Sequence, residues 1–547
     1  MSFCNGNRPS VRRAAALNSA KSALFGAVLV AAGAALAASA SAESTLVRGM
    51  GPTIGTLDPQ LNFLANEGWI QDDMYEGLTA QDASGNIIPG AADKWELSDD
   101  GLTYTFHLRD GLKWSNGDPL VAQDFVNGVV RTVDPATASD KAYIFCSTIA
   151  VTGVCDFTAK KTSDPTKLGI SAPDAKTVVV KLDKPAPYAL IYFGSYYGAP
   201  LHKPSFDKFG AAFIKPENIV SNGAYHMAEN VPQSHVTLVK NPNFWDAANV
   251  KIDKVVYQIT EDNKTAVKLF KSGQLDVGVD IPADDVLNLQ KEFGDEMHVT
   301  PYLETDYFSF NIKVPPFDNI NIRKALSTAL DRDTFINKVI KGGYVVNCGY
   351  VVPLPDYKGA RVPECDMDQA TRIKTAKALL AQGMKEANIK KLSFTIESSN
   401  DDTQKKIAET AALMWKKALG VDVKVNAQER DAWLDAFNGG KWQVFNDDLV
   451  GDFAGPETFL AYIDPRGGVY GWESKEYEDL WDKAMLAADK QQRYALLAQA
   501  EKVFLDQYTS TPLDAAPSRD LVSKKISGWV DNVGASHPTR FMTISGN

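Results

Sequence analysis

From Leu102 to Leu108 apolar and polar residues alternate, with Tyr104, Phe106 and Leu108 on one face and Thr103, Thr105 and His107 on the other, which predicts a half-buried strand. Turn-forming clusters crowd around it at Ser84-Gly85-Asn86, Asp99-Asp100-Gly101, Arg109-Asp110-Gly111 and Asn116-Gly117-Asp118-Pro119, the punctuation of a small antiparallel, hairpin-rich unit. Asp118 to Val130 carries helical spacing through Phe125, Val126, Val129 and Val130, and Thr177 to Leu182 reads as a further strand.

Beyond this unit the period changes. Val255 to Ile259, Leu275 to Val279 and His298 to Tyr302 read as strands, separated by helical stripes at 263–270 and 284–293. The same β-α-β-α-β order returns later, with strands at 392–396, 421–425 and 442–446 and helices at 404–419 and 432–437. Such an order implies parallel sheets with crossover helices. Two copies imply two α/β lobes with a ligand cleft between them. Between the copies, Ile322, Ala325, Leu326, Ala329 and Leu330, then Phe335, Ile336, Val339 and Ile340, are the core stripes of two packed helices.

After the strand at 442–446 the apolar run stops at Asp447, Asp448 and Asp452, set among Gly451, Gly455 and Pro456. Glycine, proline and unpaired charge are poor material for a buried strand, so an acidic loop is expected just past a strand's carboxyl end. In open α/β sheets that is where ligands bind. The chemistry calls for a ligand with a positive charge.

Composition adds the compartment. Arg8, Arg12, Arg13 and Lys21 precede an uncharged apolar run from Ala23 to Leu36 and a small-residue site at Ala40-Ser41-Ala42, so residues 1–42 read as a secretory signal peptide cleaved near Ala42/Glu43. No cysteine follows the run closely enough for a lipid anchor, and no later stretch is long enough to cross a bilayer, so a freely soluble periplasmic chain is expected. The whole chain carries a formal charge of -11, and loss of the basic leader makes it more acidic still, which argues against nucleic acid as a partner. The mature cysteines Cys146, Cys155, Cys348 and Cys365 allow three connectivities; short separations favour Cys146 with Cys155 and Cys348 with Cys365 as loop staples. Neither pair has the spacing of a metal site. No cofactor fingerprint, HExxH or GxSxG is present, and His107, His202, His226, His235, His298 and His537 are scattered, which leaves a secreted hydrolase as a remote alternative.

Several motifs, in order, resemble one family: Tyr75-Glu76-Gly77-Leu78, Pro89 to Trp95, Tyr104 to Arg109, Trp114-Ser115-Asn116-Gly117, Asn222-Gly223-Ala224-Tyr225, Asn241 to Trp245, Phe270 to Asp276, Arg323-Lys324-Ala325-Leu326 and Tyr477 to Ala484. They resemble the extracellular solute-binding proteins of the oligopeptide and dipeptide family, which feed ABC importers. The resemblance implies a two-lobed, hinged-trap α/β protein with an additional hairpin-rich domain. Domain I would be discontinuous over 43–79, 203–303 and 520–547, with domain II at 80–202, domain III at 304–519, and hinge crossings near Leu303-Glu304 and Pro517-Ser518. It implies a monomer that captures oligopeptides and delivers them to an inner-membrane ABC permease complex. By position, Asp452 would receive the ligand's α-ammonium, and backbone groups of Asn446, Asp447, Asp448, Leu449 and Val450 would pair with the peptide main chain; Glu67 matches a further position near the cleft. Short-peptide binders of the family hold the ligand carboxylate with an Arg or His where this chain has Asn446. Other family members carry nickel chelates, glutathione, haem, opines or cello-oligosaccharides, and these cargoes remain alternatives to peptide.

Overall fold

The computed structural model describes residues 43–545 except 52, 53, 63, 64, 261, 469 and 488; the expected signal peptide lies outside the described residues. Strand β1 (Thr45–Gly49) and helix α1 (Ala65–Met74) come first. A separate four-stranded antiparallel sheet follows, built from β2 (Ala92–Leu97), β3 (Thr103–Leu108), β4 (Ile170–Asp174) and β5 (Thr177–Lys181) in the order β2-β3-β5-β4. Helix α2 (Ala122–Val133) lies between β3 and β4 in sequence and buries Phe125, Val126 and Val129.

The chain then builds β6 (Tyr225–Val231), β7 (His235–Lys240), β8 (Lys254–Gln258), α3 (Asn263–Lys271), β9 (Val277–Gly278), α4 (Val286–Phe293) and the long strand β10 (Met297–Phe310). Helix α5 (Ile320–Ala329) and the short β11 (Val345–Val346) precede β12 (Ser393–Ser399), α6 (Asp402–Leu419), β13 (Asp422–Gln428), α7 (Arg430–Asn438), β14 (Val444–Val450) and β15 (Ser510–Val522). Among the described residues, eleven strands form one sheet in the order β13-β12-β14-β10-β15-β9-β1-β8-β7-β6, with β11 also on β15.

Two strands hold this sheet together. β10 pairs with β14 only over Glu304 to Phe310, while β15 meets β11 at Asp514 and Ala515 and β9 at Leu521 and Val522. Between these ends the β10–β15 ladder shifts register, from Pro301 opposite Pro517 to Glu304 opposite Ala516. The sheet therefore has two halves with only β10 and β15 in both, which is the two-lobed α/β plan.

Local sequence explains the elements of the second half. Asp401 accepts from the N–H groups of Thr403 and Gln404 and so caps α6, and Gly420 ends it in the left-handed region at φ 71°. Ile407, Ala411 and Trp415 of α6 pack with Ile322, Ala325 and Leu326 of α5 and with Phe308 and Phe310 of β10 in one apolar cluster. A second cluster joins Val267 and Phe270 of α3, Leu289 of α4 and Leu521 of β15. Both disulfides are formed locally, Cys146–Cys155 and Cys348–Cys365.

The expectation of simple parallel halves needs correction in the first half. β8 and β9 are parallel but separated by β1, and antiparallel β15 stands between β9 and β10. In the second half β12 lies parallel to both β13 and β14, as the pattern predicts.

Candidate ligand-binding cleft

The acidic segment does not leave the sheet at Asn446, contrary to the loop expected there. β14 runs on to Val450, because β10 supplies a full ladder as far as Glu304 opposite Val450. Side chains alternate across that strand. Asp447, on one face, is buried and accepts from the Tyr307 hydroxyl at 2.9 Å, which itself accepts from the Tyr470 hydroxyl at 3.0 Å. Burial and the neighbouring Asp448 push Asp447 up to about 8, with the Tyr307 hydroxyl moderating the rise. Asp448 points to the opposite face, opposite Asp306 of β10.

On its other edge β14 meets β12 only through Val444 and Phe445. From Asn446 to Val450 that edge has no partner strand among the described residues, and exposure rises along it from buried Asn446 to exposed Val450. The Asn446 side chain is used internally, donating to Gln404 Oε1 at 2.7 Å and to the Gln404 carbonyl at 3.1 Å.

Asp452 follows the strand's end. The N–H of Gly451 donates to the Leu303 carbonyl at 2.7 Å, and a Cβ at Gly451 would come within 2.8 Å of the Phe459 ring, so glycine permits this close approach. The N–H of Asp452 donates to Thr458 Oγ1 at 3.0 Å. Its Oδ2 accepts from the Tyr192 hydroxyl at 2.9 Å, and Phe453 beside it stacks on Tyr188 with ring centroids 5.3 Å apart. Tyr196 and Tyr197 complete an aromatic wall, their rings 4.4 Å apart and the buried ammonium of Lys141 4.3 Å from the Tyr196 centroid. Desolvation lowers Lys141 to about 7 against the pull of Asp58, Asp72 and Glu67.

Asp452, Asp448, Glu304, Asp280, Tyr302, Tyr143, Tyr196 and Tyr197 all keep accessible surface. In each, burial is nevertheless the leading cause of a raised pKa, the Tyr192 hydroxyl moderating the rise at Asp452. Each of these groups combines accessible surface with desolvation, and Asp452 contributes to the field on Tyr143, Tyr192, Tyr196, Tyr197 and Tyr302 alike; together they outline the candidate cleft.

Glu67 is placed differently. It is buried in α1, and its Oε1 accepts from the N–H of Thr56 at 2.8 Å and from that of Gly55. The tyrosines were missed in reading the sequence, although Tyr188, Tyr192, Tyr196 and Tyr197 within ten residues offered a signal: amphipathic rings suit a wet wall. Among the described residues, no group of three or more His, Cys, Asp or Glu is arranged to hold a metal ion.

Comparison with known proteins gives a consistent picture. Residues 86–470 match the model of the bacterial extracellular solute-binding proteins, family 5. The periplasmic oligopeptide-binding protein OppA of Salmonella typhimurium is 34% identical over 92% of this chain and 93% of its own length. A probable deoxycholate-binding periplasmic protein, YgiS of Escherichia coli, is 31% identical over 87% of this chain and 88% of its own. Among solved structures, OppA of Haemophilus influenzae in complex with the peptide RPPGFSPFR superposes with a TM-score of 0.77 at 30% identity, covering 92% of this chain and 99% of that one.

Proposed function

Because the chain belongs to family 5 of the bacterial extracellular solute-binding proteins, a family of substrate binders and not of enzymes, we propose that it captures oligopeptides in the cleft and delivers them to an inner-membrane ABC importer. The observation that carries this reading is the placement of Asp452 at the end of the unpaired β14 edge. A peptide main chain laid along Asn446 to Val450 adds a strand, which gives affinity without reading side chains. Its α-ammonium then meets the Asp452 carboxylate, a charge-assisted contact about twice as strong as a neutral one. Work in the periplasm, after loss of residues 1–42 and as a monomer, follows the same reading; no helix among the described residues is long and apolar enough to cross a membrane.

We further propose the domain division 43–79 with 203–303 and 520–547, 80–202, and 304–519, hinged where β10 and β15 pass between the halves. The register shift between Pro301 and Glu304 supports that position. On this division Tyr192 and Asp452 belong to different domains, and their hydrogen bond closes the trap. The bile acid carried by one relative's name suits the cleft less well: its carboxylate would meet Glu304, Asp448 and Asp452.

Titration calorimetry tests the cargo. Unmodified peptides of three to five residues are expected to bind, and deoxycholate is not. Binding of deoxycholate with no heat from any peptide would overturn the reading.

A further inference from the structure

One feature of the cleft serves neither the main chain nor the α-ammonium. Asp448 of β14, Asp306 of β10 and Asp514 of β15 stand directly opposite one another on three adjacent strands, and Glu304 lies on the same face two residues before Asp306. Ionised carboxyls facing each other across strands would destabilise the sheet, and burial raises the pKa of all four. None of the ion pairs formed among the described residues involves Glu304, Asp306, Asp448 or Asp514, so the row is eased only by the Gln404 amide and by the fields of Arg519 and Arg430.

The hydrogen bonding of the row is incomplete as well. Asp306 and Asp514 are both 0% exposed. Asp306 Oδ1 accepts from Gln404 Nε2 at 2.6 Å, but Asp306 Oδ2 and both carboxyl oxygens of Asp514 find no donor beyond a proton shared between the two acids. Buried acceptors without donors are uncommon and call for an explanation. The cations whose fields reach the row form no ion pair with it: Arg519 donates through Nε to the Ile281 carbonyl at 2.7 Å, lies over the Tyr344 ring at 5.4 Å, keeps Nη1 buried without a partner and moderates Glu304 only through its field, as Arg430 moderates Asp448. Glu304 and Asp448, above the covered pair, keep accessible surface in the cleft.

We propose that this row is a second cation subsite, in which Glu304 and Asp448, backed by Asp306 and Asp514, receive a basic side chain of the bound ligand. The inference rests on the peptide reading above and narrows it to peptides with a lysine or arginine near the amino terminus. Asp448 lies two positions inside the end of β14 and four before Asp452, so the basic residue belongs at the second to fourth position of a peptide whose α-ammonium sits at Asp452. An ammonium or guanidinium there gives Glu304 and Asp448 the positive partner that no ion pair among the described residues supplies, and its field reaches the covered pair behind them.

The test is calorimetry on the mature protein with tetrapeptides of alanine carrying lysine at position two, three or four, each compared with its Nε-acetyllysine counterpart. Acetylation removes the charge and keeps the length. The wild type is expected to prefer lysine at least tenfold at one position, and Glu304→Gln and Asp448→Asn are each expected to shrink that ratio at least threefold. The ratio is taken within each variant, so a general loss of affinity does not mimic the effect, and the wild-type ratio decides the matter if a variant fails to fold. Tight binding of peptides with equal affinity for lysine and acetyllysine at all three positions overturns the subsite and leaves peptide capture standing. If no peptide binds, peptide capture falls, and spermidine becomes the probe: a thermal shift lost in the Glu304→Gln, Asp448→Asn double variant upholds the subsite, and no shift overturns it.

Discussion

The Tyr192 hydroxyl donates to Asp452 Oδ2 at 2.9 Å, a bond that spans 260 residues of sequence and fastens the aromatic wall to the end of β14. The tyrosine orients the carboxylate and takes one of its oxygens. Tyr192→Phe keeps the ring against Phe453 and removes only the donor. Peptide affinity is expected to fall by about fivefold, the value of about 1 kcal/mol for one hydrogen bond. Calorimetry checks this, and an unchanged Kd would mean that the bond contributes nothing to the closed, liganded state.

Closure itself has a solution signature. If the halves turn about the register shift between Pro301 and Glu304, adding peptide should reduce the radius of gyration measured by small-angle scattering. An unchanged scattering curve at saturating peptide would count against a hinged trap.

Much of the second half of the sheet was legible because its local signals agree with its burial. The stripe of Ile407 and Ala411 faces the core, Asp401 and Gly420 bound the helix, and β12, β13 and β14 follow the alternation of strand and helix. β15 was illegible for the opposite reason. Pro512, Asp514, Pro517, Arg519 and Asp520 carry no strand signal, since proline cannot donate to a ladder and charge resists burial. The structure admits both prolines where the register with β10 shifts, and it admits Asp514 and Asp520 by raising their carboxyl pKa values. Asp447 was misread in the same way: nothing in the sequence tells that Tyr307 will stand opposite it and donate to it, or that burial will raise its pKa. That a carboxylate would follow the strand's end at Asp452 was readable from the sequence; the role of ammonium acceptor proposed for it rests on the resemblance.

These buried acids make stability depend on pH. Burial pushes Asp447 and Asp520 up to about 8 and Asp514 up to about 7, all above the unfolded value of 3.8. A raised carboxyl pKa means that the folded form holds protons the unfolded chain has released, so stability falls as pH rises from about 4 through the folded pKa. His537, pushed down to about 3, works the other way but completes its change by about pH 6.5, and Lys141, down to about 7, acts mainly above neutrality. The ligand-free protein is therefore expected to lose Tm between pH 5 and pH 7 in differential scanning calorimetry. Asp514→Asn should flatten the slope by removing one of the titrating groups, and a profile that rises over this interval would show that the acids are ionised in place.

The decisive measurement concerns Asp452 and the ligand's amino terminus. If the two pair inside a closed cleft, Asp452→Ala leaves a desolvated ammonium without its partner, a loss of roughly 2 to 5 kcal/mol, or about 30-fold to several thousand-fold in affinity. N-acetylation of the peptide removes the same charge from the other side and should weaken wild-type binding by a similar factor. The two changes together should cost much less than their sum, because a contact broken once cannot be broken again. Tyr192 sharpens the comparison, since it already donates to Oδ2 and remains in the variant, so the cycle isolates the ammonium and not the tyrosine bond. Calorimetry on the four combinations reads the coupling directly. Fully additive losses, or a wild type indifferent to acetylation, would remove Asp452 from the role of ammonium acceptor and leave it as an anchor for the aromatic wall.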